Sequence, residues 1–135
     1  MAATSIVTYL GDLRTSSVHI QSGSVNITDA PLDNHGKGEA FSPTDTVANA
    51  LATCMFSIMG IKARDLDVNL DGSTAEVTKT MQADPRMIAK IEVVFTMNTD
   101  ADQKAKTILE RAAMTCPVHL SLHPDIERAI TFNWK

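Results

Sequence analysis

Residues 38–60 read GEAFSPTDTVANALATCMFSIMG, and this stretch decides what kind of fold the chain builds. Ser42 is placed to act as an N-cap, Pro43 occupies the first helical position, and Asp45 follows three residues after the cap. The pattern predicts a helix from there to about Arg64. At about 100° per residue, Val47, Leu51, Cys54, Ile58 and Ile61 fall within one narrow stripe. Ala48, Ala52, Met55, Phe56 and Met59 widen it to most of the circumference. The remaining stripe, Thr46, Asn49, Thr53 and Ser57, carries no charge. A helix apolar nearly all round is buried nearly all round. A chain of 135 residues has little capacity to enclose such a helix alone, because small domains bury a smaller fraction of their surface. The helix is therefore expected in the middle of a dimer. Its apolar run, residues 47–61, is interrupted by polar residues and falls short of the about 20 apolar residues of a membrane span.

On the N-terminal side the chain reads as short strands. Ser5 to Leu10 and Ser16 to Ile20 flank a turn at Gly11-Asp12, and Val25 to Thr28 follows the Ser22-Gly23-Ser24 turn. The segment DAPLDNHGKG, residues 29–38, is loop by its Pro, Gly and Asn content. On the C-terminal side, Thr74 to Met81 alternates apolar and polar positions. Ala83-Asp84-Pro85-Arg86 breaks the pattern, and Ala89 to Met97 is β-branched and apolar, so the two strands form a hairpin. A second helix is expected from about Asp102 to Cys116, capped by Thr99 or Asp100 and ended by Pro117. Ala105, Ile108, Leu109, Ala112, Ala113 and Cys116 share its apolar face. Val118 to Asp125 reads as loop and Ala129 to Trp134 as a last strand. The order is strands, helix, strands, helix, strand: an α+β fold in one domain, residues 1–135, without internal repeats.

Composition sets the class. Apolar residues make up 44% and charged residues 21%, with a net charge of −4. That is ordinary for a folded soluble protein. A weakly acidic chain without a basic block argues against nucleic acid and against an anionic membrane surface as partners. Met1 to Leu10 lacks the basic and apolar regions of a targeting segment, so a cytoplasmic protein is expected. There is no GxGxxG, P-loop, GxSxG or HExxH pattern.

Two cysteines, 62 residues apart, are too few for a disulfide-stapled fold and lack metal-ligand spacing. Each lies on the apolar face of its own expected helix. One reading makes them small core residues. The other brings them together as a reactive pair, for which a cation or hydrogen-bond donor must stabilise a thiolate. Arg14, at the turn after the first strand, and His119, three residues past Cys116, are the candidates. His119 and His123 would share a face only on a helix, and Pro117 and Pro124 bracket their segment, so no metal site is expected there.

Residues 38–60 resemble the first cysteine helix of the OsmC/Ohr family, and LERAAMTCPVHLSLHPDI, residues 109–126, resembles its second, with the Cys-Pro step. VTKTMQADPRMIAKIEVVFTM is similar to the family's central hairpin and TYLGDLR, residues 8–14, to its first strand and turn. The resemblance runs in order over nearly the whole chain. It implies an intertwined homodimer in which antiparallel sheets wrap around two central cysteine-bearing helices. It also implies a thiol peroxidase acting on organic hydroperoxides, without bound cofactor or metal. By position, Cys54 would be the peroxidatic thiol, Cys116 the resolving thiol and Arg14 the thiolate-stabilising arginine. A dithiol of lipoyl type would restore the pair.

One difference bears on the site. The family's well-characterised peroxidases start the cysteine helix with Asn-Pro-Glu, whose glutamate orients the arginine. Here the matching residues are Ser42-Pro43-Thr44. Asp45 is about 100° further round the helix, and Glu39 is the acidic residue that would substitute from the loop. This places the chain nearer the OsmC-like subgroup. Two other functions fit the same features: a Cys-dependent hydrolase using His119, and a non-catalytic dimer binding a small apolar ligand.

Overall fold

The computed structural model describes residues 2–135; Met1, included in the reading of the N-terminal stretch, lies outside them. The chain divides into two compact units, one up to Thr46 and one from Val47 to Lys135.

The first unit is a three-stranded antiparallel sheet of β1 (Ser5–Gly11), β2 (Arg14–His19) and β3 (Val25–Asp29), in that order. The β1–β2 hairpin closes over Asp12 and Leu13, with φ of 54° and 62°. Positive φ at both central residues is the geometry whose twist matches a right-twisted hairpin. It starts β2 at Arg14, two residues earlier than the sequence pattern suggested. The expected loop after β3 contains one 3₁₀ turn, Leu32–Asn34. Along β1, the adjacent Ile6 and Val7 are both exposed. Successive strand residues point to opposite faces, so apolar side chains stand open on both sides of this sheet.

The long helix α1 (Pro43–Asp65) starts as expected. Asp45 N–H donates to Ser42 Oγ at 3.0 Å, and Ser42 N–H donates to Asp45 Oδ2 at 3.0 Å, a reciprocal cap. The helix ends in a Schellman arrangement: Val68 N–H donates to the Ala63 carbonyl and Asp67 N–H to that of Arg64, with Asp67 at φ 54°. At 23 residues, α1 is long and apolar enough to cross a membrane by length and composition. Leu51, Met55 and Met59 are nevertheless fully buried within the protein core, which is the behaviour of a core helix.

In the second unit, β4 (Thr74–Gln82), β5 (Met87–Met97) and β6 (Glu127–Trp134) form a sheet in the order β4-β5-β6. β4 and β5 are the expected antiparallel hairpin. β6 runs parallel to β5, which departs from the purely antiparallel sheets expected. The reason is the connection: the chain between them carries α2 (Gln103–Ala113) and α3 (Pro117–Ser121), and such a crossover returns the chain to the same end of the sheet. β5 is the central strand, and Ile91, Val93, Phe95 and Met97 along it are fully buried, together with Leu109 and Ala113 of α2.

The second helix departs from expectation at both ends. Its cap is Asp102, whose Oδ1 accepts the Ala105 N–H at 2.8 Å, rather than Thr99 or Asp100. It stops at Ala113, short of Cys116, and the segment expected as loop begins with the five-residue α3. Pro117 explains the break. Proline disfavours helical backbone in the residue before it, and Cys116 is extended (φ −64°, ψ 140°). Proline is also well suited to the first position of a new helix.

Candidate active site

Cys116 is therefore not a helix-face residue but the N-cap of α3. Its Sγ accepts the His119 N–H at 3.2 Å, and the residue is fully buried. Cys54, near the middle of α1, is half-buried, and both cysteines are free. The second unit brings the two thiols near one another: the Cys54 side chain acts on the Cys116 thiol. Burial pushes the Cys116 thiol above its ordinary range, the His119 N–H opposes this, and the Cys54 sulfur adds to it. The fold thus favours the protonated form of Cys116.

An apolar groove of ≈ 470 Å³ lies between α1 and α2, lined by Ile58, Ile61, Ile108, Ala112, Thr115 and charged neighbours that include Arg111. Neither cysteine lines the groove, but Ile58 is one turn beyond Cys54 and Thr115 precedes Cys116 in the chain.

Arg14, the first residue of β2, stands directly opposite Asp29, the last of β3. Its Nε donates to Asp29 Oδ1 at 2.7 Å and its Nη2 to Oδ2 at 2.8 Å. Nη2 also donates to Glu39 Oε1 at 3.1 Å. Arg14 and Glu39 are thus brought together, but the principal partner is Asp29. The guanidinium holds the Asp29 carboxyl below the usual carboxylate range, against the opposing effect of burial. Asp45 is engaged at the α1 cap, and the Thr44 hydroxyl lies 3.1 Å from that of Ser42. The sequence pattern makes Asp29 the first residue of a loop, which hides its place beside Arg14. Cross-strand pairing of opposite charges was the available signal: β3 had only to extend one residue.

The His119 contact to Cys116 runs through the main chain. Its imidazole Nδ1 is buried without a hydrogen-bond partner among the described residues, and burial, then the charge of Arg128, lowers its proton affinity. His123 lies beyond the end of α3, so the two histidines do not share one helical face. Its ring sits 3.8 Å from Asp125.

The family model described as OsmC-like protein matches residues 36–131. The chain is 53% identical to a provisionally named osmotic stress induced and detoxification response protein from Psychrobacter arcticus 273-4. The alignment covers 98% of this chain and 97% of that one, with a TM-score of 0.95. An OsmC-like protein from Mycoplasma pneumoniae has the same fold at 14% identity, with 99% of each chain covered and a TM-score of 0.78. So does an organic hydroperoxide resistance protein OsmC from Legionella pneumophila, at 16% identity, 98% coverage of each chain and a TM-score of 0.70. A search of curated proteins returns no match. A family model matching most of the chain, and a relative identical at half of its positions over nearly its full length, make this chain a member of the OsmC-like family.

Proposed function

We propose that the protein is a cysteine-based peroxidase that reduces organic hydroperoxides. The observation that carries this reading is the adjacency of two free thiols of unequal exposure, Cys54 half-buried and Cys116 fully buried. The Cys54 thiolate attacks the terminal oxygen of ROOH. The O–O bond breaks, the alkoxide leaves and takes a proton to become ROH, and Cys54 is left as a sulfenic acid. Cys116 then condenses with it, forming the Cys54–Cys116 disulfide and releasing water. An external dithiol, of lipoyl type by family resemblance, reduces the disulfide by exchange. By family resemblance, Arg14, paired with Glu39, would supply the positive charge that favours the Cys54 thiolate. The apolar residues around Cys54 on α1, Met55, Phe56, Ile58 and Met59, suit an alkyl or aryl peroxide better than hydrogen peroxide. The reading draws support from the provisional detoxification name of the 53% identical relative.

The test is to add cumene hydroperoxide to reduced protein and count free thiols. Loss of both, with a Cys54–Cys116 linkage by mass spectrometry, is the expected result. Unchanged thiols at millimolar peroxide would overturn the proposal.

The working form under this reading is a homodimer. The three-stranded sheet of the first unit exposes Ile6, Val7, Tyr9, Leu10, Val25 and Ile27, an apolar surface of the kind that marks an interface. α1 also leaves Val47 and Ile61 exposed. Light scattering should give twice the chain mass of 14.6 kDa, and a monomer at micromolar concentration would be the contrary result.

A further inference from the structure

Pro117 is exposed, so its ring is not needed to fill the core. Its effect on the backbone is larger. α2 stops at Ala113, yet the Thr115 and Cys116 N–H groups still donate to the Ala112 and Ala113 carbonyls at 3.0 and 3.2 Å, so the chain keeps winding as far as Cys116. There the proline ends it: Cys116 is extended, and α3 starts afresh at Pro117. This break decides what the Cys116 sulfur meets. As the N-cap of α3, Sγ accepts the His119 N–H at 3.2 Å, and the Val118 N–H acts on it as well. In this orientation the Cys54 side chain acts on the same thiol. In an unbroken helix, the N–H groups of Val118 and His119 would be taken by the carbonyls of Met114 and Thr115, four residues back. The sulfur would lose its donors and be free to choose between the two rotamers that a helix commonly allows.

We propose that Pro117 is the positioning residue of the resolving thiol: by ending the winding at Cys116, it leaves the α3 amides free to hold the Cys116 sulfur in the orientation that meets Cys54. This rests on the proposed reading, in which a Cys54 sulfenic acid condenses with Cys116. Pro117 makes and breaks no bond in that scheme and acts through Cys116. Two reactions compete for the sulfenic acid. Condensation joins the two sulfurs and releases water. Reaction with a second hydroperoxide moves one oxygen to the Cys54 sulfur, releases ROH and leaves a sulfinic acid. A sulfur held in place favours the first, and a loosened one hands the intermediate to the second. The role of Pro117 therefore concerns resolution alone, since Cys54 makes the first attack from α1.

The experiment adds excess cumene hydroperoxide to the reduced full chain. It follows the rate of first oxidation at Cys54 and, by intact mass of quenched samples, the ratio of disulfide to sulfinic acid. Pro117→Ala lets the helix run on; it is expected to keep the first rate and to lower that ratio about tenfold. Pro117→Gly separates a backbone role from a packing role. Glycine removes still more of the side chain, but it is a far poorer helix former than alanine. Its ratio should therefore lie between those of Pro117→Ala and the parent protein. A ratio for glycine equal to or below that for alanine would assign Pro117 to packing and overturn the proposal. So would a parental ratio for Pro117→Ala, or a first oxidation slowed as much as resolution. A parent protein whose thiols form no disulfide would instead overturn the peroxidase reading itself.

Discussion

Cys54→Ser is expected to abolish hydroperoxide consumption, whereas Cys116→Ser should leave a single round of oxidation that then runs too far. The asymmetry follows from the surroundings of the two sulfurs. Cys54 sits half-buried on α1, one turn before Ile58. Cys116 is fully buried, and burial holds it in the thiol form. The thiolate is the nucleophile, so first attack belongs to Cys54, and a serine there offers no comparable anion. In Cys116→Ser the sulfenic acid at Cys54 forms but has no neighbouring thiol with which to condense. Excess peroxide should carry it to the sulfinic acid, which dithiols do not reverse. Intact-mass measurement separates the outcomes: two added oxygens on Cys116→Ser, and no change on Cys54→Ser. Equal activity of the two serine variants would remove the assignment of roles. Full activity of Cys54→Ser would remove the peroxidase reading itself.

Much of this site was legible in the residues because helix signals are local. Ser42, Pro43 and Asp45 announced the start of α1, and the cap formed as read. The alternation in residues 74–81 likewise gave β4, with Ala75, Val77 and Met81 packed on the core. What escaped was set by relations between distant segments. The parallel pairing of β6 with β5 depends on a crossover, not on the composition of either strand. Cys116 looked like the last residue of an amphipathic helix, because its position on the apolar face was right. The proline after it converted that position into the cap of a new turn, and the sulfur became a hydrogen-bond acceptor. Asp29 escaped for the same kind of reason. Its meaning comes from Arg14, fifteen residues earlier, which it meets only once β2 and β3 are paired.

Phe95→Ala is expected to have the largest effect on stability. The residue lies on central strand β5, fully buried, and its ring meets two others. It meets Phe56 of α1 edge-on, with centroids 4.9 Å apart, and stacks on Phe132 of β6 at 5.0 Å. Phe132 continues the row to Trp134 at 6.3 Å. The side chain therefore ties α1 to the sheet and β5 to β6, with ring geometries that add about 0.5–1.5 kcal/mol per pair to simple burial. Truncation to alanine removes those contacts and leaves a cavity that a central strand cannot collapse to fill. The expected cost is about 3–5 kcal/mol, a large share of the about 5–15 kcal/mol that holds a typical protein folded. With a urea slope of about 1–3 kcal/mol per M, the unfolding midpoint should fall by about 1 M or more. Trp134, the chain's one tryptophan, lies at the end of the same row and reports the transition by fluorescence. Variant and parent must be compared at equal protein concentration, since the proposed dimerisation would shift the midpoint by mass action. A loss below about 1 kcal/mol would mean that the row adds little to the core. In that case Leu51, Met55 and Met59 of α1 would carry the packing between helix and sheet.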